Sequence, residues 1–104
     1  MMDIATSLNG IPIRLTDERW SHIVEEHGEM AGMRAEVLRT ISHAERVVAG
    51  GGGELLAVRL VAAEKALIVV YRETSVDDGF VITAFLTRRL ERLNRRKQIW
   101  PSKT

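Results

Sequence analysis

The sequence contains no cysteine. Disulfide bonds, zinc sites built on thiolates and catalysis by a thiol are therefore excluded. Long hydrophobic runs are missing too, because stretches such as residues 66–71 fall far short of the roughly 20 residues that a membrane-spanning helix needs. The N-terminal residues lack the charged and apolar regions of a signal peptide. We therefore expect a cytoplasmic protein that does not engage a membrane.

The chain is 104 residues long, and 45% of these are hydrophobic. This is the usual size of one domain with a modest hydrophobic core. No repeat, low-complexity linker or break in composition divides the sequence. We therefore expect a single domain over residues 1–104.

Positive charge is concentrated at the C-terminal end of the chain. Residues 1–78 carry 8 basic and 13 acidic side chains, whereas residues 79–104 carry 7 basic and 1 acidic side chain. Such a segment attracts polyanions or an acidic protein partner. The candidate substrate-binding residues are Arg88, Arg92, Arg95, Arg96 and Lys97, together with Arg72 and Thr87 in the strands before them.

Residues 16–28 have the pattern of an amphipathic helix. Thr16 is a typical N-cap, acidic residues follow it in the first turn, and Gly28 ends the pattern. Apolar side chains at helical spacing predict a second helix over residues 33–42. Two helices therefore precede the rest of the chain.

The second half of the sequence predicts β-strands. Short runs rich in β-branched residues cover residues 45–49, 55–61, 66–73 and 79–87, with turn residues between them. Connections this short favour antiparallel hairpins. A brief strand is also expected before the helices at residues 11–15, with Pro12 at its start or at a sheet edge.

The predicted fold class is α+β. Two N-terminal helices pack on one face of an antiparallel sheet of about four strands, and the opposite face stays open for a ligand. A short basic C-terminal helix is expected at residues 88–97, followed by an edge strand at residues 99–100.

The first helix carries two histidines. His27 lies on the apolar stripe formed by Trp20, Ile23 and Val24, so it is either a candidate acid or base in a cleft or a core histidine bonded to backbone. His22 is five residues away, about 140° around the helix, and is expected to be exposed. The two histidines cannot share one metal ion, and we expect neither a metal site nor a cofactor.

Three further features bear on a binding site. Alternation in the last long strand places Thr83, Phe85 and Thr87 on one face and Phe80, Ile82, Ala84 and Leu86 on the other. Arg59 interrupts an apolar strand, so its charge must reach the rim of the sheet or serve an anion. The glycine run 50–53 lacks the lysine of a phosphate loop and opens no helix, so a flexible hairpin loop is the better interpretation.

The sequence resembles a family of small phage and bacterial proteins that belongs with the barnase, EndoU, colicin-ribonuclease and RelE-like nucleases. The resemblance rests on residues 16–23 (TDERWSHI), 26–30 (EHGEM), 80–85 (FVITAF) and the closing Ile99-Trp100, and it covers residues 11–101. Two positions depart from the family pattern: Gly28 follows His27 where a proline is expected, and Phe85 stands where a tyrosine is common.

The resemblance implies a metal-independent endoribonuclease, either a toxin or a prophage remnant, acting on RNA. Cleavage by the 2′-hydroxyl of RNA needs a base, an acid and a donor or cation for the phosphorane. His27 would be the acid or base with His22 as a second candidate, Arg59 the phosphate clamp, and Tyr71 and Thr83 hydroxyl donors. The alternative is a non-catalytic module that binds nucleic acid, or an acidic antitoxin or immunity protein, through its basic C-terminal segment.

Overall fold

The computed structural model describes residues 1–102. Helix α1 (Asp17–Glu26) begins where the sequence predicts. The Thr16 hydroxyl accepts a hydrogen bond from the backbone N–H of Arg19 at 3.1 Å and so caps the helix. At its other end the N–H of His27 donates to the carbonyl of Ile23 at 2.7 Å. A 3₁₀ helix (Gly28–Met30) then leads to helix α2 (Arg34–Ser42), the second predicted helix.

Within residues 1–102, the strands are β1 (Met2–Thr6), β2 (Pro12–Thr16), β3 (Arg46–Ala49), β4 (Leu55–Ala62), β5 (Lys65–Ser75), β6 (Asp78–Thr87) and β7 (Gln98–Trp100). These seven strands form one mixed sheet in the order β1-β2-β6-β5-β4-β3-β7. Neighbouring strands pair antiparallel, except that β2 and β6 pair parallel.

The expected antiparallel sheet of about four strands is therefore wrong, although the protein is still α+β. The predicted strands β3 to β6 do form a meander, and β7 is an edge strand as expected. The sequence prediction missed β1, whose five residues look like a ragged terminus until they pair with β2. It also missed that the β1–β2 hairpin joins the meander, because pairing between residues 66 positions apart leaves no local pattern.

The parallel contact between β2 and β6 is short and depends on Gly79. Only Ile13 with Gly79 and Arg14 with Phe80 are paired. A Cβ atom on Gly79 would lie 2.6 Å from the Ile13 side chain and 2.6 Å from the Arg72 carbonyl oxygen, so only glycine fits there. Beside it, the Arg14 guanidinium holds Asp78 through two hydrogen bonds of 2.8 and 3.1 Å and keeps the pKa of that carboxyl below its usual range.

The main core lies between the sheet and the two α-helices. Ile23 of α1 and Val37 and Ile41 of α2 are buried against β-strand side chains. The strand residues that share this core are Ala5, Ile13, Leu15, Ala57, Leu67, Val69, Tyr71, Val81 and Ala84. The periodicity of both helices thus predicts the packed face correctly.

A second, smaller core occupies the opposite face of the sheet. The expected C-terminal helix at residues 88–97 is instead a 3₁₀ helix (Leu90–Arg95), and its Leu93 is buried against Val48, Leu56 and Ile68. The 3₁₀ helix therefore covers part of the face that the sequence predicts to be open for a ligand. The leucines anchor the segment while its arginines stay exposed.

Arg59 fastens helix α2 to strand β4. Its Nη2 donates to the Glu36 carboxylate and, at 3.3 Å, to the Glu36 carbonyl, and its Nε donates to the Thr40 hydroxyl at 3.1 Å. The Arg59 side chain is only 16% exposed. The Arg59 guanidinium holds the pKa of the Glu36 carboxyl below its usual range. The anion that Arg59 serves is thus a carboxylate of this chain.

We predict that Glu36→Gln lowers the melting temperature at neutral pH by roughly 5 °C or more, because it leaves the mostly buried Arg59 without its counter-charge. The contribution of Glu36 is fully present above the unfolded pKa of about 4.3 and is lost as the pH falls through the lower folded pKa. The difference in melting temperature between wild type and variant should therefore be constant between pH 6 and 8 and shrink below about pH 4. An equal difference at pH 3 and pH 7 would contradict this.

Candidate functional site

The free edge of β6 shapes the candidate site. Because β2 pairs with β6 only at Gly79 and Phe80, residues 81–87 have no strand on that side among the described residues. The end of α1 and the following 3₁₀ helix contact β6 there instead. The sequence motif around His27 is thereby placed beside the strand that carries Thr83, Phe85 and Thr87.

A bulge in β6 determines which side chains share the face opposite the α-helices. Val70 pairs with Thr83 and Tyr71 pairs with Val81, so Ile82 is an extra residue. Thr83, Phe85 and Thr87 lie on one face, as the sequence predicts. Phe80 joins them and Val81 turns into the main core, which simple alternation did not anticipate.

His27 contacts Phe85 at this edge. The ring centroids are 5.9 Å apart and the planes are tilted by 35°. The His27 side chain is one-third exposed, so the imidazole packs against an aromatic ring while remaining accessible to solvent. It is therefore not enclosed in the core, and it can exchange protons with a ligand bound at this edge.

Glu29 is the nearest carboxylate to His27. One of its oxygens lies 3.8 Å from His27 Nδ1. Glu29 also lines a cavity of about 270 Å³ whose other lining residues are Lys65, Leu86, Thr87 and Arg88. The 3.8 Å separation is too long for a hydrogen bond, so Glu29 is a negative charge beside the imidazole and does not fix its orientation. An imidazole near a cavity that also contains basic side chains is suited to proton transfer near an anion.

Phe85 also lines a cavity that contains arginine side chains. It has a volume of about 190 Å³. Leu56, Ile68, Phe85 and Leu93 supply apolar side chains, and the polar lining consists of Thr87, Arg89, Arg92 and Arg96. Phe85 therefore connects an accessible histidine to the three guanidinium groups of this cavity.

The two predicted threonines differ in their hydrogen bonding. Thr87 accepts a hydrogen bond from the backbone N–H of Arg89 at 3.0 Å, which fixes the start of the basic segment. The Thr83 hydroxyl is buried and has no hydrogen-bond partner within residues 1–102. A buried hydroxyl without a partner is uncommon, and Thr83 lies next to Phe85 along this face.

Three predicted catalytic residues lie away from this face. His22 is half exposed on α1, and its salt-bridge partners in the described part of the chain are Glu18 at 4.0 Å and Glu25 at 3.7 Å. Arg59 is committed to Glu36 and Thr40 on the helix side of the sheet. The Tyr71 hydroxyl is buried in the main core without a hydrogen-bond partner in the described part of the chain, and burial raises its pKa above the usual value.

The predicted substrate-binding residues are divided among several places. Arg92 and Arg96 line the arginine cavity, and Thr87 lines both cavities. Arg88 lines the cavity beside Glu29 and donates to the Ala63 carbonyl at 3.5 Å. Arg72 bonds the glycine loop, and Arg95 and Lys97 are exposed outside both cavities.

Sequence reasoning missed Glu29 and Arg89 as site residues. Glu29 lies two residues after His27, but the nearby acidic residues suggest that it belongs to a solvated acidic face. Arg89 belongs to the basic run, yet nothing in the sequence distinguishes the arginines that face the cavity from those that face solvent. The signal that could identify them is the spacing of Leu90 and Leu93, which fixes the orientation of the 3₁₀ helix.

A larger cavity elsewhere lacks this combination of groups. The groove between β1 and α2 has a volume of about 650 Å³ and contains Arg39, His43 and the Glu36 carboxylate already bound to Arg59. Its charges are mixed, and it gathers no cluster of guanidinium groups. Charge and chemistry therefore favour the β6 edge despite its smaller volume.

Among the described residues, no three histidine or acidic side chains are grouped to hold a metal ion.

No α-helix within residues 1–102 is long and apolar enough to cross a membrane. Comparison of the chain with protein-family models, with curated proteins and with solved structures gives no match.

Proposed function

We propose that this protein is a metal-independent endoribonuclease whose site is the β6 edge between His27 and the arginine cavity. The observation that carries the proposal is the position of Phe85, which contacts the His27 ring and also lines the cavity with Arg89, Arg92 and Arg96. A cytoplasmic location, where RNA is available, is part of the same proposal.

The arginines bind the RNA backbone. Guanidinium groups present paired donors that match phosphate oxygens, and they remain charged at all physiological pH values. Arg89 and Arg92 are exposed and have no carboxylate within salt-bridge distance in residues 1–102, so their charge is available to a ligand. Phe85 and Leu56 give the cavity an apolar floor against which a nucleobase or ribose can pack.

His27 performs the proton transfer. The 2′-hydroxyl oxygen attacks the adjacent phosphorus, the bond to the 5′-oxygen breaks, and a 2′,3′-cyclic phosphate remains on one fragment. His27 either accepts the 2′-hydroxyl proton or donates a proton to the departing 5′-oxygen, and water serves the other transfer. The guanidinium groups stabilise the charge on the phosphorane.

We predict that purified protein cleaves single-stranded RNA in EDTA and that His27→Ala lowers the cleavage rate by about 100-fold or more. His22→Ala is the matched control, because His22 lies on α1 five residues before His27 and its salt-bridge partners within residues 1–102 are Glu18 and Glu25. The control should retain the wild-type rate, and both variants should keep the wild-type melting temperature. Equal rates for the two variants, or activity that EDTA abolishes, would contradict the mechanism.

A second prediction concerns binding of RNA that carries 2′-O-methyl groups and cannot be cleaved by this route. Replacing Arg89 and Arg92 by alanine should weaken binding by about 10-fold or more and reduce the slope of log affinity against log salt by about 1.4, since each lost phosphate contact contributes about 0.7. Fluorescence anisotropy at several salt concentrations measures both quantities.

The control for this variant is the double replacement of Arg19 and Arg39 by alanine. Both are exposed arginines on the α-helices, and their removal changes the net charge by the same amount. If both double variants weaken RNA binding equally, the arginine cavity is not the binding site. RNA that binds but stays intact would instead support the non-catalytic binding module.

A further inference from the structure

The glycine loop between β3 and β4 binds a carboxylate of its own chain. Oε1 of Glu54 accepts a hydrogen bond from the backbone N–H of Gly52 at 2.6 Å. The loop is closed by a second bond, in which the N–H of Gly50 donates to the carbonyl of Glu54 at 2.8 Å. The Glu54 side chain thus folds back over the loop instead of extending into solvent.

Gly50 makes this position available. A Cβ atom at residue 50 would lie 2.4 Å from both Cγ and Cδ of Glu54 and 2.3 Å from Oε1. Any side chain at residue 50 would therefore push Glu54 away from the Gly52 amide. Part of the glycine run is explained by the space that the Glu54 side chain occupies.

Two arginines of the predicted substrate-binding set flank the same loop. Arg72 Nη2 donates to the Gly52 carbonyl at 2.8 Å, and Arg96 Nη1 donates to the Ala49 carbonyl at 3.2 Å. The N–H of Gly52, with the charges of Arg72 and Arg96, lowers the pKa of the Glu54 carboxyl, so Glu54 is ionised at neutral pH. A negative group therefore lies against one backbone donor and beside two guanidinium groups.

The same set of donors suits a phosphate group. Backbone N–H groups in a glycine-rich turn and flanking arginines are the usual partners of phosphate oxygens. Arg96 also lines the cavity beside Phe85, so the loop and the candidate site are continuous. Arg72 lies four residues along β5 from Ile68, the partner of Phe85, which corresponds to about 13 Å. The loop would therefore bind a different phosphate from the one that is cleaved.

We propose that the Gly52 amide, Arg72 and Arg96 form a second phosphate subsite, which Glu54 occupies in the free protein and leaves when an RNA phosphate binds. This inference rests on the proposed RNA-binding function and adds a subsite to it. Glu54 competes with the substrate, so weakening its hold on the loop should strengthen RNA binding.

The test uses two variants of the full chain that release the subsite in different ways. Glu54→Gln removes the charge but keeps a side chain that can accept the Gly52 hydrogen bond. Gly50→Ala keeps the charge but displaces Glu54 from the loop. Each should bind 2′-O-methyl RNA about 5-fold or more tightly than wild type in anisotropy measurements, and circular dichroism and melting temperature should show that both variants fold.

The matched control is Glu91→Gln, which makes the same charge change on the exposed basic segment. If Glu91→Gln tightens binding as much as Glu54→Gln, or if folded Gly50→Ala binds no more tightly than wild type, the subsite is overturned. These outcomes are distinct from failure of the proposed function, in which the wild-type protein does not bind RNA or binding does not depend on Arg89 and Arg92.

Discussion

The short parallel contact between β2 and β6 is the constraint on which the candidate site depends. Two residue pairs join the β1–β2 hairpin to the meander, and Gly79 permits the strands to approach. Because the contact ends at Phe80, the rest of β6 keeps a free edge, and the end of α1 packs there. A longer β2 would pair with the edge that the histidine now contacts. The brevity of this pairing thus brings His27 to Phe85.

The C-terminal segment completes the site by separating its apolar and charged side chains. Leu90 and Leu93 pack on the sheet, and Arg89 and Arg92 are left at the rim of the cavity beside Phe85. Positive charge held above an apolar floor can bind a backbone phosphate while a base or ribose packs below it. Because the leucines are packed on the sheet and the arginines are exposed, a chain with a net charge of only +1 has a strongly basic surface at this cavity.

Features with a local signal could be predicted from the sequence. The Thr16 cap, the stripes of both α-helices and the four strands of the meander follow from spacing and turn residues. Strand β1 and the parallel pairing of β2 with β6 could not be predicted, because they depend on contacts between residues that are not neighbours in the sequence. The bulge at Ile82 likewise shifts the face on which Phe80 lies, without a proline or glycine to signal it.

The candidate site was predictable to a similar extent. The position of His27 on an apolar stripe indicated that its side chain lies either in the core or in a cleft. In the structure the imidazole packs on Phe85 and remains accessible to solvent. An arginine within an apolar strand signalled an anion, but no pattern showed that the partner of Arg59 would be Glu36. The partners of Tyr71 could not be predicted either. Strand alternation puts its side chain on the face of the sheet that the α-helices cover, and this face is known only once the sheet is assembled. Which polar side chain serves structure and which serves a ligand depends on the assembled neighbours.

The most direct test of the account is a nuclear magnetic resonance titration of the three histidines with 2′-O-methyl RNA. The imidazole resonances of His27 should shift on binding, because the proposed site lies between His27 and the arginine cavity. The resonances of His22 and His43, which lie on other surfaces, should stay unchanged at the same RNA concentration. Binding that shifts His22 or His43 and leaves His27 unaffected would contradict the account.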